Sequence, residues 1–195
     1  MNSTRRNKPA TAGKKPEAAG KIRIIAGEYR GRRLQVIDRP GLRPTPDRVR
    51  ETLFNWLGQR LDGLACLDLF AGSGALGFEA ASRGAARVVM VENDRAVFES
   101  LKKSLAVIAA PQVELAFADA FDFLRTGTDG FDVVFLDPPF GQNALALALE
   151  QLPGRLASGA RVYVEAPAPL EVHGPWRELK RSRAGQVSYQ LLEKQ

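Results

Sequence analysis

From residue 64 onward the chain alternates. Five short apolar segments, 64–70, 88–92, 113–117, 131–136 and 161–165, are separated by stretches of helical spacing at 75–83, 95–106, 120–125 and 143–152. Strands that alternate with helices are joined by crossovers, which predicts an α/β fold with a mostly parallel sheet covered on both faces. Doubly covered strands read as near-continuous apolar runs, as Val88-Val89-Met90-Val91 and Val133-Val134-Phe135-Leu136 do. A last pair of segments, 177–181 and 187–192, reads as added strands closing one sheet edge. Ligands in such sheets sit beyond the carboxyl ends of the strands, near the switch in strand order. The strand ends are therefore the place to look for chemistry.

The first 62 residues follow another pattern. Segments 22–25 and 34–37 read as two strands of a hairpin, with turn glycines Gly27 and Gly31 between them. Thr45 is expected to N-cap a helix, with Pro46 at its first position and Asp47 in its first turn. Val49, Leu53, Trp56, Leu57 and Leu61 give that helix an apolar face, and Arg43, Arg48 and Arg50 are expected off it. The chain thus divides into a basic, disordered tail (1–20), a hairpin-plus-helix extension (21–62) and a main domain (63–195).

Charge separates these parts. The whole chain carries 28 Lys/Arg against 22 Asp/Glu, but residues 1–55 hold 14 of the former and 5 of the latter. A basic front on a slightly acidic body suggests a polyanion held by the front, through Arg30, Arg32, Arg33, Arg43, Arg48 and Arg50. For the tail alone, a solvated segment that aids solubility is an equal account. One cysteine and one histidine exclude an internal disulfide and a typical zinc site, so no metal is expected. No apolar run nears the ~18 residues of a membrane span and no secretory leader is visible, so a soluble cytoplasmic protein is expected.

Three strand ends carry the functional signal. The first reads Asp68-Leu69-Phe70-Ala71-Gly72-Ser73-Gly74-Ala75-Leu76-Gly77, where Gly72 and Gly74 allow a tight turn against a ligand and Gly77 close helix packing. The second ends at Glu92, twenty residues after Gly72, where a carboxylate can accept both hydroxyls of a ribose. Asp119 follows the third strand and suits either an adenine amino group or a helix N-cap. Asp68 would repel a pyrophosphate and suits a cationic methionyl group. The fourth strand ends in Asp137-Pro138-Pro139-Phe140, a rigid loop with few backbone donors and an aromatic tip.

That tetrapeptide resembles the Asp/Asn-Pro-Pro-aromatic motif of class I methyltransferases that modify exocyclic amino groups, among them adenine N6, guanine N2 and glutamine N5. The run Arg43-Pro44-Thr45-Pro46-Asp47-Arg48-Val49-Arg50-Glu51-Thr52-Leu53-Phe54-Asn55-Trp56-Leu57 is similar to the front-end signature of the RsmD family of bacterial 16S ribosomal RNA guanine-N2 methyltransferases. So are Arg23-Ile24-Ile25-Ala26-Gly27, the 70–77 loop and Gly185-Gln186-Val187, and the similarity spans residues 21–192.

The resemblance implies a Rossmann-like class I methyltransferase sheet with a small N-terminal extension that docks RNA. It implies S-adenosylmethionine as cofactor, held by Asp68, Phe70, Gly72, Gly74, Glu92, Asn93, Asp119 and Ala120. Asp137 and the Pro138 carbonyl would accept the amine, Pro139 would stiffen the loop, and Phe140 would stack on the base. The implied partner is 16S rRNA in the small ribosomal subunit, met by a monomer. Two other readings compete: a nicotinamide oxidoreductase, which leaves residues 137–140 unexplained, and a non-catalytic RNA-binding assembly factor. Adenine-N6 DNA methylation would call for a target-recognition region, for which the chain has no room.

Overall fold

The fold is that of a computed structural model, described for residues 18–37, 39, 45–128, 130–139 and 143–195. In chain order the elements are β1 (Ala18–Arg23), β2 (Arg33–Ile37), α1 (Asp47–Trp56), β3 (Ala65–Asp68), α2 (Ala75–Ser82), β4 (Arg87–Glu92), α3 (Arg95–Ile108), β5 (Val113–Phe117), α4 (Ala120–Thr126), β6 (Phe131–Leu136) and α5 (Ala144–Gln151). A 3₁₀ turn at Leu152–Arg155 leads into β7 (Leu156–Ala166), followed by β8 (Trp176–Ala184) and β9 (Val187–Lys194).

Seven strands form one sheet in the order β5-β4-β3-β6-β7-β9-β8. The first five are parallel, while β9 pairs antiparallel with both β7 and β8 and so closes that side with a hairpin. The chain winds outward from β3 through β4 to β5, then returns to the far side of β3 at β6. The switch in strand order therefore lies between β3 and β6, where Asp68 and Asp137 end their strands.

The period of two along each strand divides the core. Cys66, Val88, Met90, Val133 and Phe135 face one layer, with Phe78 of α2 and Leu101 and Ile108 of α3. Leu67, Val89, Val91, Val134 and Leu136 face the other, with Leu124 of α4 and Ala148 of α5. Burial pushes the Cys66 thiol up to about 12, with Asp132 and Asp68 adding to the effect, so this cysteine is packing and not a nucleophile.

The N-terminal extension belongs to the first layer. Ile22, Ile24, Leu34 and Val36 of the hairpin and Leu53, Phe54 and Leu57 at α1 are buried in the same cluster as Phe78 and Leu101. Two close approaches fix the helix behind it. A Cβ on Gly27 (φ +82°) would lie 1.7 Å from the Ser82 carbonyl oxygen, and one on Gly77 would lie 2.8 Å from the Met90 side chain. The first position admits only glycine, and a side chain at the second would have to displace Met90.

Four sequence expectations change. β1 begins at Ala18, inside the segment expected to be disordered, because residues 18 and 20 pair with Ile37 and Val36; residues 1–17 lie outside the described residues. β3 is shorter than 64–70, since the chain turns at Leu69 into the glycine loop. β7 is longer than 161–165, taking in a register shift before Arg161 where Gly159 adopts φ +70°. Finally, α1 starts at Asp47 after an extended Pro46 with no side-chain cap, and Thr45 is buried instead of capping.

Candidate active site

Every core strand from β3 to β7 delivers an acid to one end of the sheet: Asp68, Glu92, Asp119, Asp137 and Glu165. Asp68 is buried at the end of β3, where its Oδ2 accepts the Gly77 N–H at 2.9 Å. Burial raises its carboxyl to about 7; the Gly77 bond opposes this and Glu92 adds to it. The carboxylate therefore sits beneath the turn into α2 and holds that helix's first turn against the strand.

The loop above is fixed by backbone bonds. Ala71 donates to the Val91 carbonyl at 2.9 Å and Gly74 to the Ala71 carbonyl at 2.7 Å, with Gly72 at φ +52° and Gly74 at φ +78°. The two glycines differ in purpose. Gly72 is half-buried and donates its N–H to Glu92 Oε2 at 3.0 Å, which joins two strand ends. Gly74 is the N-cap residue of α2, and a Cβ there would lie 2.7 Å from the Phe78 ring and 2.8 Å from Leu101. Its missing side chain is explained by packing.

Glu92 closes the second strand end. Its Oε1 accepts the Asp94 N–H at 2.7 Å, so each oxygen takes one backbone bond and keeps a second lone pair. Asp94 itself caps α3 through Ala96 and Val97, and Asn93 is exposed beside it. Asp119 caps α4, with Phe121 and Asp122 both donating to Oδ1 at 2.9 and 3.2 Å. The cap that competed with an adenine contact in the sequence is therefore real, though it uses one oxygen only. Ala120 is buried at the start of α4, and Phe70 meets Phe121 edge-on at 6.4 Å.

Asp137 follows β6, half-buried, with Pro138 buried and Pro139 exposed; Phe140 lies outside the described residues. Burial holds the Asp137 carboxyl well above its ordinary range; Glu165 and Asp68 push the same way, and a hydrogen bond with Thr45 opposes them. Glu165 is buried at the end of β7, where burial raises its carboxyl and Tyr163 and Thr45 oppose the rise; the Tyr163 hydroxyl donates to its Oε1 at 2.7 Å. Glu165, Tyr163 and Thr45 were missed by sequence reasoning. Glu165 carried the same signal that identified Glu92, an acid closing an apolar strand, while the place of Thr45 depends on tertiary packing.

The arginines proposed for RNA divide as well. Arg30, Arg33 and Arg48 are exposed. Arg32 is exposed too, but its guanidinium lies 5.1 Å over the Tyr29 ring and donates to the Ile108 carbonyl. Arg43 lies outside the described residues. Arg50 corrects the expectation: it is fully buried. Its guanidinium pairs with Asp47 and, at 3.4 Å, with Glu79, and it donates to the carbonyls of Arg23 and Thr45. A guanidinium so enclosed cannot meet phosphate, and it serves to fasten the extension.

Glu79 is the other half of that fastening. Fully buried in α2, it accepts the N–H groups of Ile25 and Ala26 at 2.8 and 3.1 Å and pairs with Arg83 at 2.8 Å as well as with Arg50.

The donor set fits S-adenosylmethionine. The β3, β4 and β5 ends present carboxyl groups, suited to ribose hydroxyls and to a cation and unsuited to a pyrophosphate. When bound, that cofactor supplies a methyl group already activated as a sulfonium. Among the described residues no cluster of His, Cys, Asp and Glu has the arrangement of a metal site.

Comparison with known proteins agrees with this chemistry. A family model described as Conserved hypothetical protein 95 matches residues 22–193. Ribosomal RNA small subunit methyltransferase D of Escherichia coli K12 is 45% identical over 189 residues, covering 93% of this chain and 96% of the relative. Its namesake in Haemophilus influenzae is 46% identical over 186 residues, covering 91% and 96%. The solved structure of Escherichia coli yhhF superimposes with a TM-score of 0.82 at 43% identity, covering 90% of this chain and 98% of that one. The rRNA methyltransferase aviRa of Streptomyces viridochromogenes, at 19% identity and a TM-score of 0.63, shares the fold over 80% of this chain and 88% of its own. With the glycine loop, the acid at each core strand end and the Asp-Pro-Pro turn in place, the chain belongs to the Conserved hypothetical protein 95 (RsmD) family of S-adenosylmethionine-dependent methyltransferases.

Proposed function

We propose that the acceptor is the exocyclic N2 amino group of a guanine in 16S ribosomal RNA, methylated within the assembled small subunit in the cytoplasm. The observation that carries this reading is Asp137, a carboxyl group at the switch point between Asp68 and Glu165, followed by two prolines. An aryl amine is a poor nucleophile because its lone pair is delocalised into the ring. An acceptor on each of its N–H groups favours a pyramidal nitrogen, and Asp137 with the Pro138 carbonyl can supply the pair. Pro138 and Pro139 lack N–H groups, so the turn offers acceptors and no competing donors. Phe140 is proposed to stack on the base, which is worth ~1–3 kcal/mol per stacked base.

Cofactor contacts are assigned to Asp68, Phe70, Gly72, Glu92, Asn93, Asp119 and Ala120, with Gly74 shaping the turn. Because the methyl donor is already a strong electrophile, the chain's contribution is orientation and charge. The exposed Arg30, Arg33 and Arg48, with Arg32 and Arg43, are assigned to phosphate contacts that position the RNA, while shape selects the base. Several relatives are named for the small-subunit ribosomal RNA, which favours that substrate over DNA. The test is mass spectrometry of 16S rRNA from a strain lacking the protein. One missing N2-methylguanosine supports the assignment, and an unchanged modification profile refutes it.

A further inference from the structure

The acidic body of the chain has a basic margin. Residues 177–183 read Arg177-Glu178-Leu179-Lys180-Arg181-Ser182-Arg183, four cations against one acid. They lie on β8, the outermost strand of the sheet, with no strand beyond it among the described residues. Arg177 is paired with Glu193, and Arg181 turns back onto Glu178 at 2.8 Å. Lys180 and Arg183 are exposed and enter no ion pair among the described residues. Arg183 Nε donates to the Gly185 carbonyl at 2.9 Å, which spends one of the guanidinium's donors and holds it over the turn into β9.

Register puts this margin level with the site. Leu136 pairs with Val164, Val164 with Gln190 and Gln190 with Arg181, while Ala166 pairs with Ser188 and Ser188 with Arg183. Asp137, one residue beyond Leu136, therefore stands between the levels of Arg181 and Arg183. Strands lie about 4.8 Å apart, so three steps, from β6 through β7 and β9 to β8, put Arg183 roughly 14 Å to the side of the Asp-Pro-Pro turn. The turn of the N-terminal hairpin is placed differently. Its Glu28 N–H meets the Ser82 carbonyl at the end of α2, and Arg32 reaches the Ile108 carbonyl at the end of α3; both helices run away from the acids. Arg30 and Arg32 therefore meet RNA from the other end of the sheet, and β8 carries cations beside the site.

The margin is also rigid. Ala184 pairs with Val187 across a two-residue turn, Gly185-Gln186, with Gly185 at φ +59°. Both turn residues are exposed, and a Cβ on Gly185 would meet nothing within 4 Å, so the turn stands clear of the rest of the chain. Charge on an edge strand deters pairing with another sheet, and either sign serves that end. From Leu179 to Gln186 every charged residue is a cation, as a polyanion partner requires and edge protection does not.

We propose, resting on the reading that the substrate is 16S ribosomal RNA, that Lys180, Arg183 and the 185–186 turn form a second RNA-docking surface, which binds phosphates of the nucleotides flanking the base held at Asp137. Cross-strand partners share a face, so Lys180 lies on the face of Leu191 and Arg183 on that of Ser188. A backbone crossing the edge is thus met on both faces.

The test uses the full chain and two probes, small-subunit particles from a strain lacking the protein and the 16S rRNA extracted from them. Lys180→Ala with Arg183→Ala should flatten the log-affinity against log-salt slope by roughly 1.4–1.8 for both probes, the effect of two lost contacts, and raise KM for particles roughly 10-fold at about 0.15 M salt. The Kd for S-adenosylmethionine should not move. Lys180→Glu with Arg183→Glu keeps the edge charged but reverses its sign, and should bind RNA more weakly than the alanine variant. Lys180→Arg with Arg183→Lys should recover most of the slope. An alanine variant with the wild-type slope, or a glutamate variant that binds as wild type does, overturns the proposal and leaves edge protection as the role of the charge. Weaker binding to particles with unchanged binding to extracted rRNA also overturns it, because the partner is then a ribosomal protein. If the wild type methylates neither probe, the functional reading fails instead, and the slopes still decide whether this margin holds RNA.

Discussion

Glu79→Gln should cost more stability than any exchange of a surface charge in this protein. The side chain is fully buried and joins two guanidinium groups to two backbone N–H groups of the hairpin. Glutamine keeps the volume and one acceptor oxygen but withdraws the charge that balances Arg50 and Arg83. Removing one partner of a buried ion pair costs about 3–5 kcal/mol, against a total stability of roughly 5–15 kcal/mol for a domain. Arg50 retains Asp47 and the Arg23 carbonyl, which argues for the lower end, about 3 kcal/mol. Urea unfolding at constant m-value measures the loss. Native-state hydrogen exchange localises it, since the Ile25 and Ala26 amides should lose protection first. As a control, Arg125→Gln breaks an exposed i,i+3 pair with Asp122 and should change stability by less than about 0.5 kcal/mol. A Glu79→Gln loss below about 1 kcal/mol, with Ile25 and Ala26 still protected, would show that apolar burial alone holds the extension.

Other outcomes follow from the site. Glu92→Ala removes an acceptor that also orders Gly72, so calorimetry should find S-adenosylmethionine bound roughly 10- to 100-fold more weakly; an unchanged Kd would move the ribose elsewhere. Replacing Arg30, Arg33 and Arg48 with alanine should flatten the log-affinity against log-salt slope for RNA by roughly 0.7–0.9 per lost contact, with cofactor affinity unmoved. An unchanged slope would make these arginines a solvated surface. Asp68 has its carboxyl raised in the fold, so protonation favours the native state, and stability should fall as pH rises from about 4 toward 7. Asp68→Asn should remove that decline while keeping the Gly77 bond, and equal pH dependence in both proteins would mean that Asp68 titrates normally.

The alternation of apolar runs was enough to locate β4 through β6 and the four helices behind them within a residue or two, because period and turn residues are local signals. The acids at strand ends were legible for the same reason. The inward face of α1 was legible in Val49, Leu53, Leu57 and Leu61, all of them buried, but spacing does not carry how far round the helix that face extends. Arg50 read as a surface cation, since arginine is rarely buried, and only the position of Glu79 on α2 makes its burial tolerable. Thr45-Pro46-Asp47 has the composition of a helix start, so its hydroxyl was assigned locally, whereas the fold leaves Pro46 extended with no side-chain cap and buries Thr45. Glu165 was visible as a strand end but had no partner until the sheet order placed β7 beside β6.

The central claim is that Asp137 accepts the reacting amine. Its most direct test is single-turnover transfer of a labelled methyl group to undermethylated small-subunit particles by Asp137→Ala. Calorimetry should find S-adenosylmethionine affinity within about twofold of wild type, since Asp137 lies outside the proposed ribose contacts. Turnover should fall by roughly 100-fold or more, the scale of losing a hydrogen bond made in the transition state. Turnover near that of the wild type, at intact cofactor affinity, would remove Asp137 from the reaction.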